Sequence, residues 1–176
     1  VKGRIEMGKW VTKVLASTGV ATVMVGLLVS PAAAHEGDSL ASVRHATARF
    51  HDVDRAVAAG YAPLLACFDQ PGVGGMGQHY AKGSLIDGTV TATKPQILVY
   101  EVEGDELNLV AVEYIIPYAF VAASAEAPRL FGQSFHHNDA LGIWALHAWI
   151  WRHNPLGMFA DYNPNVALCP GHGGSD

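Results

Sequence analysis

Residues 96–117 read QILVYEVEGDELNLVAVEYIIP, two β-rich runs joined at Gly104-Asp105. β-branched and aromatic residues on both sides of a Gly-Asp pair predict an antiparallel hairpin. Strand side chains alternate between faces, so Leu109, Ala111, Glu113 and Ile115 are expected on one row, with Glu113 the only charge in it. A buried carboxylate without a partner costs several kcal/mol, so Glu113 sits either at a sheet margin or beside a partner. Glu101, on a face with Ile97 and Val99, raises the same question in weaker form.

Working outward toward the C-terminus, LGIWALHAWIWRHNPLGMF (141–159) is apolar on all sides until Arg152, His147 excepted. Three tryptophans and two isoleucines favour a strand, with a helix from Ala140 stopped by Pro155 as the alternative. As a strand it puts Ala145, His147, Trp149, Trp151 and His153 on one face. His147 and His153 are then about 20 Å apart and cannot serve one mononuclear site. His147, deep in the run, is the better candidate ligand.

Toward the N-terminus, Pro71-Gly72-Val73-Gly74-Gly75-Met76-Gly77-Gln78-His79-Tyr80 contains G-x-G-x-x-G at Gly72, Gly74 and Gly77. The dinucleotide fingerprint needs a strand before it and a helix after it; here a helical segment and Cys67 precede and a polar stretch follows. The glycines are better read as allowing close backbone geometry that delivers His79 into the domain. Before them, Asp38 and Ser39 cap an expected single helix, with Leu40, Val43, Thr47, Phe50, Val53 and Val57 on its apolar stripe, ending near Gly60. His45 and His51 lie off that stripe and receive no role.

Upstream of the domain, Lys2, Arg4, Lys9 and Lys13 precede an apolar run of about sixteen residues, Val14 to Val29, and a small-residue site at Ala32 and Ala34. The run is short for a bilayer span, which needs roughly 20 residues. Residues 1–34 are therefore expected to be a signal peptide cleaved after Ala34, leaving 35–176 as one secreted domain. The leader carries four of the eleven Lys+Arg and one of the sixteen Asp+Glu, which leaves seven basic against fifteen acidic residues. That balance excludes nucleic acid and, once the signal is removed, a membrane surface as partners. All nine histidines remain beyond the leader. So do both cysteines, Cys67 and Cys169, and in an exported protein a disulfide is their expected fate.

Gly75-Met76-Gly77 with His79-Tyr80, LVYE at 98–101, VEYIIP at 112–117 and His147 with WIWRHNPLGMF at 149–159 resemble an uncharacterised family of secreted bacterial proteins. The similarity covers roughly residues 40–170. It implies export and one compact domain and carries no activity. Gln78 departs from the pattern, which has an aromatic or apolar residue there.

The expected fold is α+β: one N-terminal helix packed on a curved antiparallel sheet of four to six strands, with one disulfide. Its chemistry points first to a metal site of His79, Glu113 and His147, each a polar side chain among apolar neighbours. Two imidazoles and a carboxylate suit copper or zinc, and also iron or manganese. A second metal reading starts at His35, whose new terminal amine and imidazole form a copper chelate resembling the histidine brace of oxidative polysaccharide-cleaving enzymes. Cleavage after Ala32 would instead place His35 third, an arrangement that suits square-planar Cu(II) or Ni(II). Two other classes stand beside these. One is a metal-free lyase, isomerase or hydrolase in which Glu113 and His147 act as acid and base in a cavity under the helix. The other is a secreted interaction or structural protein that presents its tryptophans and His136-His137.

Overall fold

The computed structural model describes residues 39–171; the expected signal peptide, His35 and the last five residues lie outside them. A six-stranded antiparallel sheet is curled into a half-barrel in the order β1-β2-β3-β4-β8-β7. Its strands are β1 Ala62–Gln70, β2 Gly74–Ala81, β3 Ile97–Glu103, β4 Glu106–Pro117, β7 His136–Asn138 and β8 Ile143–Ala148. A separate two-stranded ribbon pairs β5 Arg129–Leu130 with β6 Gln133–Ser134. The 104–105 turn forms the expected hairpin, and the Trp-rich segment is a strand rather than a helix.

The expected continuous helix to Gly60 is two short ones, α1 Leu40–Thr47 and α2 Val53–Ala58, with a 3₁₀ turn at Ala48–His51 between them. Ser39 caps α1 by accepting from Ser42 N at 3.1 Å, and Asp52 caps α2 by accepting from Asp54 N at 3.1 Å. The interruption has a tertiary cause. Tyr100 donates its hydroxyl to Phe50 O at 2.7 Å, so that carbonyl faces the sheet.

Val43, Phe50 and Ala56 pack on Leu98, Tyr100, Val112, Tyr114 and Leu146, forming the larger core on one face of the sheet. The opposite face carries Ile97, Val99, Ala111, Ile115 and Ala145, covered by Trp149 and Val166. The helices therefore do not cover the face that bears Glu113. Its predicted row is also broken at one end. Between Val99 and Tyr100 the β3–β4 register slips by a bulge, so Val110 joins Ala111 and Ile115 while Leu109 packs on the helix side.

The residues before the glycine-rich stretch are strand β1, not helix, and the glycines themselves form β2. A strand follows where the nucleotide fingerprint needs a helix. A Cβ at Gly77 would collide with the carbonyl oxygen of Tyr100, and Gly77 has φ +106°, so only glycine lets β2 sit this close to β3. Gly75 meets the 166–167 carbonyls as tightly on the other side.

Cys67 and Cys169 form a disulfide, with Cα atoms 5.7 Å apart and a sequence separation of 102. It fastens the C-terminal segment to β1, where Asp69 also accepts from Cys169 N at 2.7 Å. Among the described residues no helix is long and apolar enough to cross a membrane.

Candidate metal centre

Glu113 on β4 lies directly opposite His147 on β8. His79 is two strands away on β2, with β3 between. Two strand spacings are roughly 10 Å, and only the curl of the sheet brings the side chains together. His79 Nε2 stands 3.4 Å from Glu113 Oε2, and His147 Nε2 stands 3.7 Å from Oε1. One donor atom from each of the three residues lies within 4.8 Å of the others, and all three residues are buried. In a tetrahedral site with ~2.0–2.1 Å bonds, neighbouring ligand atoms are about 3.4 Å apart. The two carboxylate-to-imidazole distances are already close to that spacing.

The histidine rings are poorly satisfied, a condition that Gln96 Oε1 and Trp151 Nε1 share among the described residues. Neither His79 Nδ1 nor either ring nitrogen of His147 makes a well-formed hydrogen bond; the His147 nitrogens face carboxylate oxygens of Glu113 at 3.7 Å and of Asp161 at 3.5 Å. Such groups forfeit about 1–3 kcal/mol each, which a fold tolerates where they have another use.

Behind His147 lies Asp161, a residue with no sequence signal because it sits in an irregular loop where periodicity has no meaning. Its Oδ1 is 3.5 Å from His147 Nδ1 and 3.1 Å from His136 Nε2. A carboxylate behind a ligand imidazole fixes its tautomer and raises its basicity. The electrostatics follow from these neighbours. Burial, only partly offset by Glu113, pushes the His79 pKa below its ordinary 6.5. Burial pushes His147 the same way, but Glu113 and Asp161 together outweigh it and leave its pKa raised. The His147 imidazole in turn holds the Asp161 carboxyl below its usual range, against the effect of partial burial.

Glu101, the other carboxylate in doubt, has the opposite company. Arg152 donates to its Oε2 and Ala167 N donates to Oε1 at 2.8 Å, so it is a fully paired structural group. The expected face of β8 holds through Ala145, His147 and Trp149. The chain leaves the sheet after Ala148; Trp151 then packs on the helix-side core and His153 is exposed. Trp144 and Trp149 are 2% and 1% exposed, so neither contributes to a surface. His137 contacts the Tyr118 hydroxyl at 3.0 Å and lies against the Trp144 ring.

A cavity of about 260 Å³ opens onto the triad. Its wall includes Ile97, Ile115 and Ala145, and its mouth carries Leu64, Leu65, Phe68 and Leu141, with His136, Asn138 and Asp161 on one side. Nothing in the sequence marked those mouth residues, because β1 is irregular and its leucines follow no alternation, and Leu141 lies in the turn before β8. Comparison of the chain with protein-family models, curated proteins and solved structures gives no match.

Proposed function

We propose that this is an extracytoplasmic metal-binding protein that holds one copper or zinc ion through His79, Glu113 and His147. The observation that carries this reading is that His79, Glu113 and His147, all buried, each bring one ligand atom within 4.8 Å of the others. A disulfide supports the extracytoplasmic part, since such bonds persist in oxidising compartments. Two histidines and a glutamate leave a position for a further ligand on the cavity side, the composition of catalytic rather than structural zinc sites. A divalent ion there supplies Lewis acidity. The chain's own part is to orient His147 through Asp161 and to keep the site within apolar walls.

The test is metal content with chelation. The exported protein should carry about one ion per chain, and chelator should lower its melting temperature. Replacing any one of the three residues by Ala should remove most of the metal, with strongly non-additive losses. Saturation at a thousandfold excess over Kd corresponds to about 4 kcal/mol of stabilisation, well within reach of a melting curve. No metal in the isolated protein and an unchanged melting temperature after exhaustive chelation would overturn the reading.

One observation favours a second reading. Glu113 Oε1 faces His147 Nε2 at 3.7 Å where the cavity opens onto both, a carboxylate–imidazole pair suited to proton transfer. In that case Glu113 and His147 work as a metal-free acid–base pair on a small substrate, and chelation has no effect.

A further inference from the structure

The cavity is polar only at its floor and along one side. Leu64, Leu65, Phe68 and Leu141 stand at the mouth with 36–53% of their surface exposed, and among the described residues no lysine or arginine lines the cavity. Large apolar side chains gathered at an opening, above a few convergent polar groups, are the usual composition of a small-molecule site.

Leu65 adds an independent observation. It has φ +63°, in the left-handed region, and is half-exposed. Among the described residues ten of the twelve positive-φ positions are glycines, so a leucine here departs from what the backbone favours. The conformation is held from outside: Gln78 donates its Nε2 to Leu65 O at 2.9 Å. Strain kept in place by a neighbour, with an apolar side chain at a cavity mouth, points to use of that side chain.

We propose that this cavity takes a small, mainly apolar molecule bearing a single oxygen head group, the head at the triad and the body against Leu64, Leu65, Phe68 and Leu141. The inference rests on the metal reading only for the partner of the head group. Size sets the upper bound. A dry cavity of about 150 Å³ holds benzene, so 260 Å³ accommodates on the order of ten non-hydrogen atoms. Polarity sets the class. A sugar or polyol needs partners along its whole length, and apart from the side that carries His136, Asn138 and Asp161 the mouth is apolar.

The experiment uses the metal-loaded protein and two homologous series, straight-chain carboxylates from acetate to decanoate and the matching primary alcohols, measured by titration calorimetry. Affinity should rise about three- to fourfold per methylene and level off near ten non-hydrogen atoms. Leu65→Gly removes apolar wall while suiting the backbone. It should keep the melting temperature and the bound metal yet bind octanoate about tenfold more weakly. Leu141→Asp should do the same from the other side of the mouth. Metal content is measured on each sample, which separates the two readings. A protein that binds metal but shows no chain-length dependence in either series overturns this inference alone. A protein without metal in which the alcohols still climb supports it while removing the metal reading. A dimer seen in sedimentation that buries the mouth and abolishes the climb overturns it as well.

Discussion

Glu101 and Glu113 lie on the same face of the same sheet, 2% and 5% exposed, one at each end of that face. In sequence they look alike, each an acid that follows an apolar run. The fold treats them oppositely. Glu101 receives a guanidinium and a backbone N–H, so its charge is matched and its geometry fixed. Glu113 receives two imidazoles at 3.4 and 3.7 Å; of their remaining nitrogens, His79 Nδ1 is without a hydrogen bond and His147 Nδ1 faces Asp161 at 3.5 Å. Burial alone therefore does not mark a site. What marks it is a buried charge whose neighbours are themselves left unsatisfied and can titrate or ligate.

The largest effect expected at the Glu101 end comes from the disulfide that ties its backbone donor in place. A closed loop of about 100 residues corresponds to about 4–5 kcal/mol. The native protein should show no alkylatable thiol, and reduction should lower the melting temperature by more than about 10 °C. Below the new melting temperature, metal bound at the triad should remain. Loss of metal on reduction without unfolding would show that the two ends are not independent.

Next in size is a matched pair of substitutions. Glu101→Gln leaves Arg152 without its counter-charge and weakens the grip on Ala167, at a cost of about 2–3 kcal/mol; the figure is reduced because Arg152 is 40% exposed. It should not change metal content. Glu113→Gln keeps a group able to hydrogen-bond both histidines and removes a buried charge, so the chelated protein should change by less than about 1 kcal/mol. Metal binding should be lost. Equal destabilisation by the two substitutions, measured in denaturant, would erase the contrast.

How much of this was readable from sequence differs from strand to strand. β3 and β4 alternate cleanly, and that alternation singled out Glu113; His147 stood out as the one polar residue in an apolar run. The face of Leu109 was misassigned because the bulge at Val110 is set by pairing with β3, which a single strand does not encode. β1 and β2 were hidden for a different reason. Glycines in β2 serve close approach to Tyr100 and to residues 166–167, contacts made far along the chain. The helix break depends on Tyr100, fifty residues on. Arg152 and Asp161, which decide what Glu101 and His147 do, both lie beyond the last strand of the sheet, where no period assigns a face.

The smallest expected effect is the pH dependence of the chelated protein, and it examines the Glu113 end alone. His79 has a folded pKa below 6.5. As pH falls from 6.5, the unfolded chain takes up a proton that the folded one refuses, and stability drops on the acid side. His147 has a folded pKa above 6.5. As pH rises through that value the folded protein keeps a proton the unfolded chain has already lost, and stability drops on the alkaline side. Asp161, depressed below its ordinary value, loses its contribution only at pH below about 4, outside this window. Stability should thus be greatest near pH 6.5, with each limb no steeper than about 1.4 kcal/mol per pH unit. His79→Asn should flatten the acid limb and His147→Asn the alkaline one. Bound metal should also remove the alkaline limb, because it requires a deprotonated His147, and it should move the maximum to higher pH. Urea melts of the chelated protein from pH 5 to 8 decide the matter. A curve that rises or falls throughout would mean that the two imidazoles are not displaced in opposite directions, and Glu113 would then resemble Glu101 more closely than its neighbours suggest.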